Sequence, residues 1–63
     1  MTSVQATVRD WDAVTGGSAL RDDGELVALP PECLRGSVFR FLRLGQRVRL
    51  TLDDGVVVAV DLP

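Results

Sequence analysis

Two short acidic turns, Asp22-Asp23-Gly24 and Asp53-Asp54-Gly55, are the first places where this chain could do chemistry. Paired carboxylates can serve general acid–base catalysis or hold a divalent cation. Neither pair has the surroundings that such chemistry needs. The chain has no histidine, its one cysteine, Cys33, has no Cys-x-x-Cys partner, and no candidate base lies near Ser3, Ser18 or Ser37. Asp next to Gly is also what a tight turn selects, so the pairs read as turn formers. Gly16-Gly17 is not a phosphate loop, because no Lys-Ser/Thr follows and no helix is signalled after it. Cys33 reads as a small, partly buried apolar residue. The expectation is no catalytic residue, no metal, no cofactor and no enzyme.

The arginines are the other chemically capable group, and they account for all seven basic residues. Residues 1–34 carry Arg9 and Arg21 against six acids, a net of −4; residues 35–63 carry Arg35, Arg40, Arg43, Arg47 and Arg49 against three, a net of +2. Binding to phosphates rests on counterion release by clustered cations, so a chain of net charge −2 is a poor general polyanion binder. Only the second half offers a cluster. Its competing reading is a solvated face, or ion-pair partners within the chain.

These side chains need a scaffold, and the periodicity predicts strands. Val48, Leu50 and Leu52, then Val56, Val58, Val60 and Leu62, alternate with their neighbours around Asp53-Asp54-Gly55, which predicts a hairpin. A two-residue Asp54-Gly55 turn would set Leu50 against Ala59 and mix the faces. A three-residue loop instead pairs Leu52 with Val56, Leu50 with Val58 and Val48 with Val60, leaving Arg47 opposite Asp61. A second hairpin around Asp22-Asp23-Gly24 pairs Arg21 with Glu25, Leu20 with Leu26 and Ala19 with Val27. The chain opens with a strand whose apolar side is Val4, Ala6 and Val8. Trp11 falls on the side of Arg9, and a break or bulge is expected at Asp10. Residues 12–17 read as a turn in which the glycine pair allows positive φ or close backbone approach.

Pro30-Pro31 ends a strand, and residues 31–34 suit one helical turn. Residues 38–44, Val38 to Leu44, read as mostly loop with a helical turn that Ser37 could cap. Strands near 4–10, 18–22, 25–29, 46–52 and 56–62 predict an all-β domain over residues 1–63. Its expected form is a five-stranded antiparallel Greek-key barrel, whose closure removes edges that a chain this small could not otherwise protect. With no run of eighteen apolar residues and no leader pattern, the expectation is a soluble, cytoplasmic protein with no membrane partner.

The order of these segments resembles that of bacterial cold-shock proteins. Ala6-Thr7-Val8-Arg9 resembles the family's opening Gly-x-Val-Lys, and Leu20 followed by Asp23-Gly24 resembles its second hairpin. Phe39...Leu42-x-x-Gly45-Gln46-Arg47-Val48 resembles its Phe-x-x-Leu-x-x-Gly-Gln-x-Val. The resemblance spans nearly the whole chain and implies a single cold-shock-like domain of OB-fold type. Such a domain binds single-stranded RNA or DNA on aromatics exposed by its first three strands. Most of those rings have no counterpart here: the matching positions are Asp10, Gly17, Ala19, Val27, Leu29 and Pro30, and Thr15 stands at a lysine. Stacking contributes roughly 1 to 3 kcal/mol per base, so even at the low end of that range two or three lost stacks weaken binding by at least roughly 30- to 150-fold.

What remains implies weak or atypical single-stranded RNA or DNA binding through Arg9, Trp11, Phe39 and Arg40 with the nearby arginines. The alternative is a protein-interaction or self-associating module, a homodimer included, that kept the barrel and gave up the bases. Its apolar surface would be Ala19, Val27 and Leu29, on the wall that also carries Thr7, Arg9, Trp11 and Gly17.

Overall fold

The computed structural model describes residues 1–37 and 39–63; Val38, the first residue of the segment read as loop with a helical turn, lies outside the described residues. Five strands form one antiparallel sheet: β1 (Thr2–Asp12), β2 (Gly16–Arg21), β3 (Leu26–Leu29), β4 (Arg47–Asp53) and β5 (Val56–Asp61). Their order across the sheet is β3-β2-β1-β4-β5. The sheet curls into a half-barrel that brings β3 and β5, its two edges, within 8 Å of each other. A 3-10 turn, Pro31–Leu34, packs against β5, as the single helical turn expected there.

The length of β1 lets it pair with both neighbours. Thr2 to Thr7 lie opposite Leu52 to Arg47, and Ala6 to Asp12 lie opposite Arg21 to Gly16. Between Val8 and Asp10 the β1–β2 register shifts, because Arg9 is an extra residue with no partner on β2. This is the bulge expected near Asp10, and it changes which side of β2 is inside. Counted back from the Asp12–Gly16 pair, an unbroken ladder would set Val8 beside Leu20. The extra residue sets Val8 beside Ala19 instead. Directly opposed residues share a face. Ala19 and, through the β2–β3 pairs, Val27 and Leu29 therefore turn inward with Val8.

Burial follows that geometry. Ala19 is 0% and Leu29 1% exposed, Val27 packs against the core, and Leu26 on the other face is 59% exposed. This corrects the expected apolar partner surface: Ala19 and Leu29 belong to the interior and Val27 is half-buried. Trp11, opposite Gly17 beyond the bulge, also turns inward and lies half-buried against the core. Gly17 permits this crossing, since a Cβ there would lie 1.9 Å from the Asp10 carbonyl oxygen. Gly16 adopts φ +85° close under Leu29, so the glycine pair supplies both positive φ and close approach.

The Asp22-Asp23-Gly24 hairpin has the expected register, with Leu20 opposite Leu26, Ala19 opposite Val27 and Arg21 N–H donating to the Glu25 carbonyl. The β4–β5 hairpin does not. Its turn is the two-residue Asp54-Gly55, both at positive φ (54° and 81°), with Asp53 opposite Val56 and Leu52 opposite Val57. Val58 then bulges out, which restores Leu50 opposite Val60 and keeps one apolar row inside. Val57 and Val60 are buried, whereas Val56, Val58 and Leu62 are exposed. The shift also places Arg49, not Arg47, opposite Asp61.

The inverted face has a direct test in chemical denaturation. Leu29→Ala should cost about 3 kcal/mol, and Leu26→Ala under about 1 kcal/mol. Equal costs would return β2 and β3 to the opposite orientation. Gly17→Ala should be more damaging than Gly24→Ala, where φ is +92° but nothing lies within 4 Å. The latter should cost about 1 to 2 kcal/mol from backbone strain alone.

Candidate nucleic-acid interface

The connection between β3 and β4 covers the open side of the half-barrel and carries three of the seven arginines, Arg35, Arg40 and Arg43. Cys33 and Leu42 are its buried anchors, and both join the core cluster. Ser37 does not cap a helix: its hydroxyl donates to the Val60 carbonyl at 2.6 Å and accepts from the Phe39 N–H at 3.1 Å, tying the connection to β5. Residues 39–46 are irregular, with no helical turn among the described residues.

Near β4 the connection closes onto β1. Gly45 N–H donates to the Val8 carbonyl at 2.8 Å, and Val8 N–H donates to the Gln46 carbonyl at 2.9 Å. A turn precedes this junction, with Gln46 N–H on the Arg43 carbonyl and Gly45 at φ +82°. Gln46 also accepts the Arg43 N–H on Oε1 at 2.9 Å. The Gly45-Gln46 pair therefore has a structural task. It locks the connection to β1 beside the Arg9 bulge.

This anchoring sorts the aromatics. Phe39 is half-buried against the core, while Phe41 is 57% exposed and lies next to the buried Leu42. The Arg43 guanidinium stands over the Phe41 ring, 5.6 Å from its centroid, within cation–π range. Phe39, Arg40, Phe41, Arg43, Leu44 and Gln46 border an open recess of about 670 Å³. The four residues singled out from the sequence divide accordingly. Arg9 and Arg40 are exposed, one at the bulge and one on the recess, whereas Trp11 and Phe39 are half-buried. The Trp11 indole Nε1 is buried and has no hydrogen-bond partner among the described residues. Arg43 was read only as one of the arginine cluster and Phe41 only as part of the 38–44 loop, although Leu42 beside Phe41 carried a usable signal. When one of two neighbouring large apolar residues fills the core, the other faces water.

Electrostatically, the segment 35–49 contains five arginines and no acid. Among the described residues, Arg9, Arg35, Arg40, Arg43 and Arg49 have no carboxylate within 4 Å; ion pairs are made by Arg21 with Asp23 and Glu25, and by Arg47 with Asp22. Arg47 is bound to Asp22 in bidentate fashion, Nη1 to Oδ1 at 2.6 Å and Nη2 to Oδ2 at 3.0 Å, and Nη1 reaches Thr7 Oγ1 at 3.3 Å. The guanidinium holds the Asp22 carboxyl below the usual carboxylate value, mainly through this hydrogen bonding. Asp12 is lowered as well, because its Oδ1 accepts the Val14 and Thr15 N–H groups. The acidic turns are turn formers: Asp23 Oδ1 accepts the Glu25 N–H at 3.0 Å, and no group of three or more metal-ligating side chains occurs among the described residues. Among the described residues, no helix is long and apolar enough to cross a membrane.

No family model, curated protein or solved structure matches this chain.

Cys33, buried under the connection, has its thiol pushed up to about 11, chiefly by desolvation. The chain has no lysine, tyrosine or histidine, so Cys33 is the one side chain that titrates between the carboxylates and the arginines. The folded protein holds its proton where the unfolded chain releases it. Stability should therefore be level up to about pH 9, the thiol's ordinary value, and decline towards pH 11. A thermal-melt series against pH should show this decline in the native protein and not in Cys33→Ala. At the acid end, the lowered Asp12 and Asp22 make the unfolded chain the better proton binder, so stability should fall as pH drops below about 4.

Proposed function

We propose that this half-barrel is a divergent relative of the OB-type, cold-shock-like Greek-key barrel. Its proposed function is to bind single-stranded RNA or DNA weakly, through the β3–β4 connection. The strand order supports the fold reading: with β3 brought towards β5, the sequence β3-β2-β1-β4-β5 closes in the Greek-key order of that barrel. One observation carries the functional reading. Exposed Phe41 shares one recess with Arg40 and Arg43, neither of which has an internal carboxylate partner among the described residues.

Single strands need both elements. Their phosphates are met by clustered cations, and their unpaired bases offer faces for an aromatic ring. Phe41 offers one such face, with the Arg43 guanidinium 5.6 Å from its ring centroid. Arg40 and Arg43 border the same recess, and Arg9 follows Val8, whose backbone bonds Gly45 and Gln46 at its edge. A duplex hides its base faces, so the arrangement favours single strands. The wall that such barrels ordinarily use is unsuited here. Its matching positions on β2 and β3 point inward, and the outward face carries Leu20, Leu26, Ser18 and Ala28.

Titration of a labelled single-stranded DNA oligonucleotide, followed by anisotropy at several salt concentrations, tests this reading. Phe41→Ala should weaken binding by roughly 5- to 150-fold, the loss of one stack. Arg40→Gln and Arg43→Gln should each flatten the dependence of log K on log salt by about 0.7. An unchanged signal at tens of micromolar in low salt would end the proposal, and so would binding indifferent to Phe41→Ala.

A further inference from the structure

Within the cationic segment Arg47 is the exception. Its two terminal nitrogens are both engaged by the Asp22 carboxylate, at 2.6 and 3.0 Å. That fork-on-fork geometry is the one with which arginine takes a phosphate, so the carboxylate fills the donors that a phosphate would use. The contact is placed to do this. Arg47 begins β4 directly after the Gly45-Gln46 junction and stands opposite Thr7. Asp22 is held at the end of β2 by its own N–H on the Gln5 carbonyl at 3.1 Å. Both side chains are about half exposed, so the pair can open to solvent without disturbing the core.

Resting on the binding reading above, we propose that Asp22 is an internal competitor for phosphate at Arg47. It sets the affinity of the cationic surface and limits its extent along a bound strand. Arg47 contacts a phosphate only when the Asp22 pair has opened. The native chain thus withholds one of the five arginines of its basic segment from the ligand.

The experiment compares the native protein, Asp22→Asn, Arg47→Gln and the double variant in the same oligonucleotide titration. Asp22→Asn should bind severalfold more tightly at low salt, with a log K–log salt slope steeper by about 0.7, the signature of one added single-strand phosphate contact. With glutamine at position 47, the same Asp22→Asn change should leave the slope where Arg47→Gln alone puts it. Native binding that Asp22→Asn leaves unchanged overturns this inference and spares the binding reading. A steepening that persists without Arg47 also overturns it, because the effect would then be general charge. If no variant binds, the native protein included, the binding reading fails and the competitor falls with it. Cooperative thermal melts for all four proteins exclude misfolding, and the Asp22 backbone bond to Gln5 is kept in each.

Discussion

A single unpaired residue in a strand reverses the facing of everything paired beyond it, and Arg9 does this to the half of the sheet that β2 and β3 form. On β1 the residues before the bulge, Val4, Ala6 and Val8, keep their inward alternation. Trp11 beyond it is carried inward as well, and Ala19, Val27 and Leu29 follow through cross-strand pairing. The choice is energetically one-sided. The alternative would bury Leu20, Leu26 and Ala28 and would expose Leu29 together with the indole of Trp11. Gly17 makes the bulge feasible, since no side chain fits where the Asp10 carbonyl passes.

Once the sheet is curled this way, its open side must be covered by something other than strand. A domain of this size has little core to spare, and no disulfide supplements it. The β3–β4 connection supplies the cover, with Cys33 and Leu42 pointing in, Ser37 bonded to β5, and Gly45 and Gln46 joined to β1. On either side of the buried Leu42, Arg40, Phe41, Arg43 and Leu44 face water. The proposed ligand surface is thus the outer side of the element that completes the core, which gives an irregular segment the rigidity that a binding site needs.

Much of this architecture was legible in the sequence. Period-two alternation marked β1, β4 and β5, the Asp22-Asp23-Gly24 turn placed β2 and β3 on its two sides, and Pro30-Pro31 marked the end of β3. The Asp22-Asp23-Gly24 register followed from matching Arg21 to Glu25. The faces were less legible, for one physical reason in two places. Alternation fixes which residues share a side but not how many residues are left unpaired. In β5 the run Val56-Val57-Val58 is apolar at every position, so pattern alone could not reveal that Val58 is the residue set aside. In β1, Asp10 announced a bulge without announcing its consequence for β2. The site suffered most, because Trp11, Ala19, Val27 and Leu29 were assigned to a wall on the unbulged count. Arg9 and Arg40, read from charge, are found on the surface.

The balance of charge and stacking also explains why such a surface would act weakly. Contacts to phosphate lose strength steeply as salt rises, because the released counterions then return to a concentrated solution. The part of the affinity that survives at higher ionic strength must come from stacked rings, and the proposed surface has one well-exposed ring, Phe41. The net charge of the chain adds a second restraint, since the acids concentrated in residues 1–34 oppose approach of a polyanion to any other face. On the proposed reading, the side that a strand would approach is the cationic cover over the half-barrel. The same uneven charge that makes the chain a poor general polyanion binder would orient the few contacts that it can make.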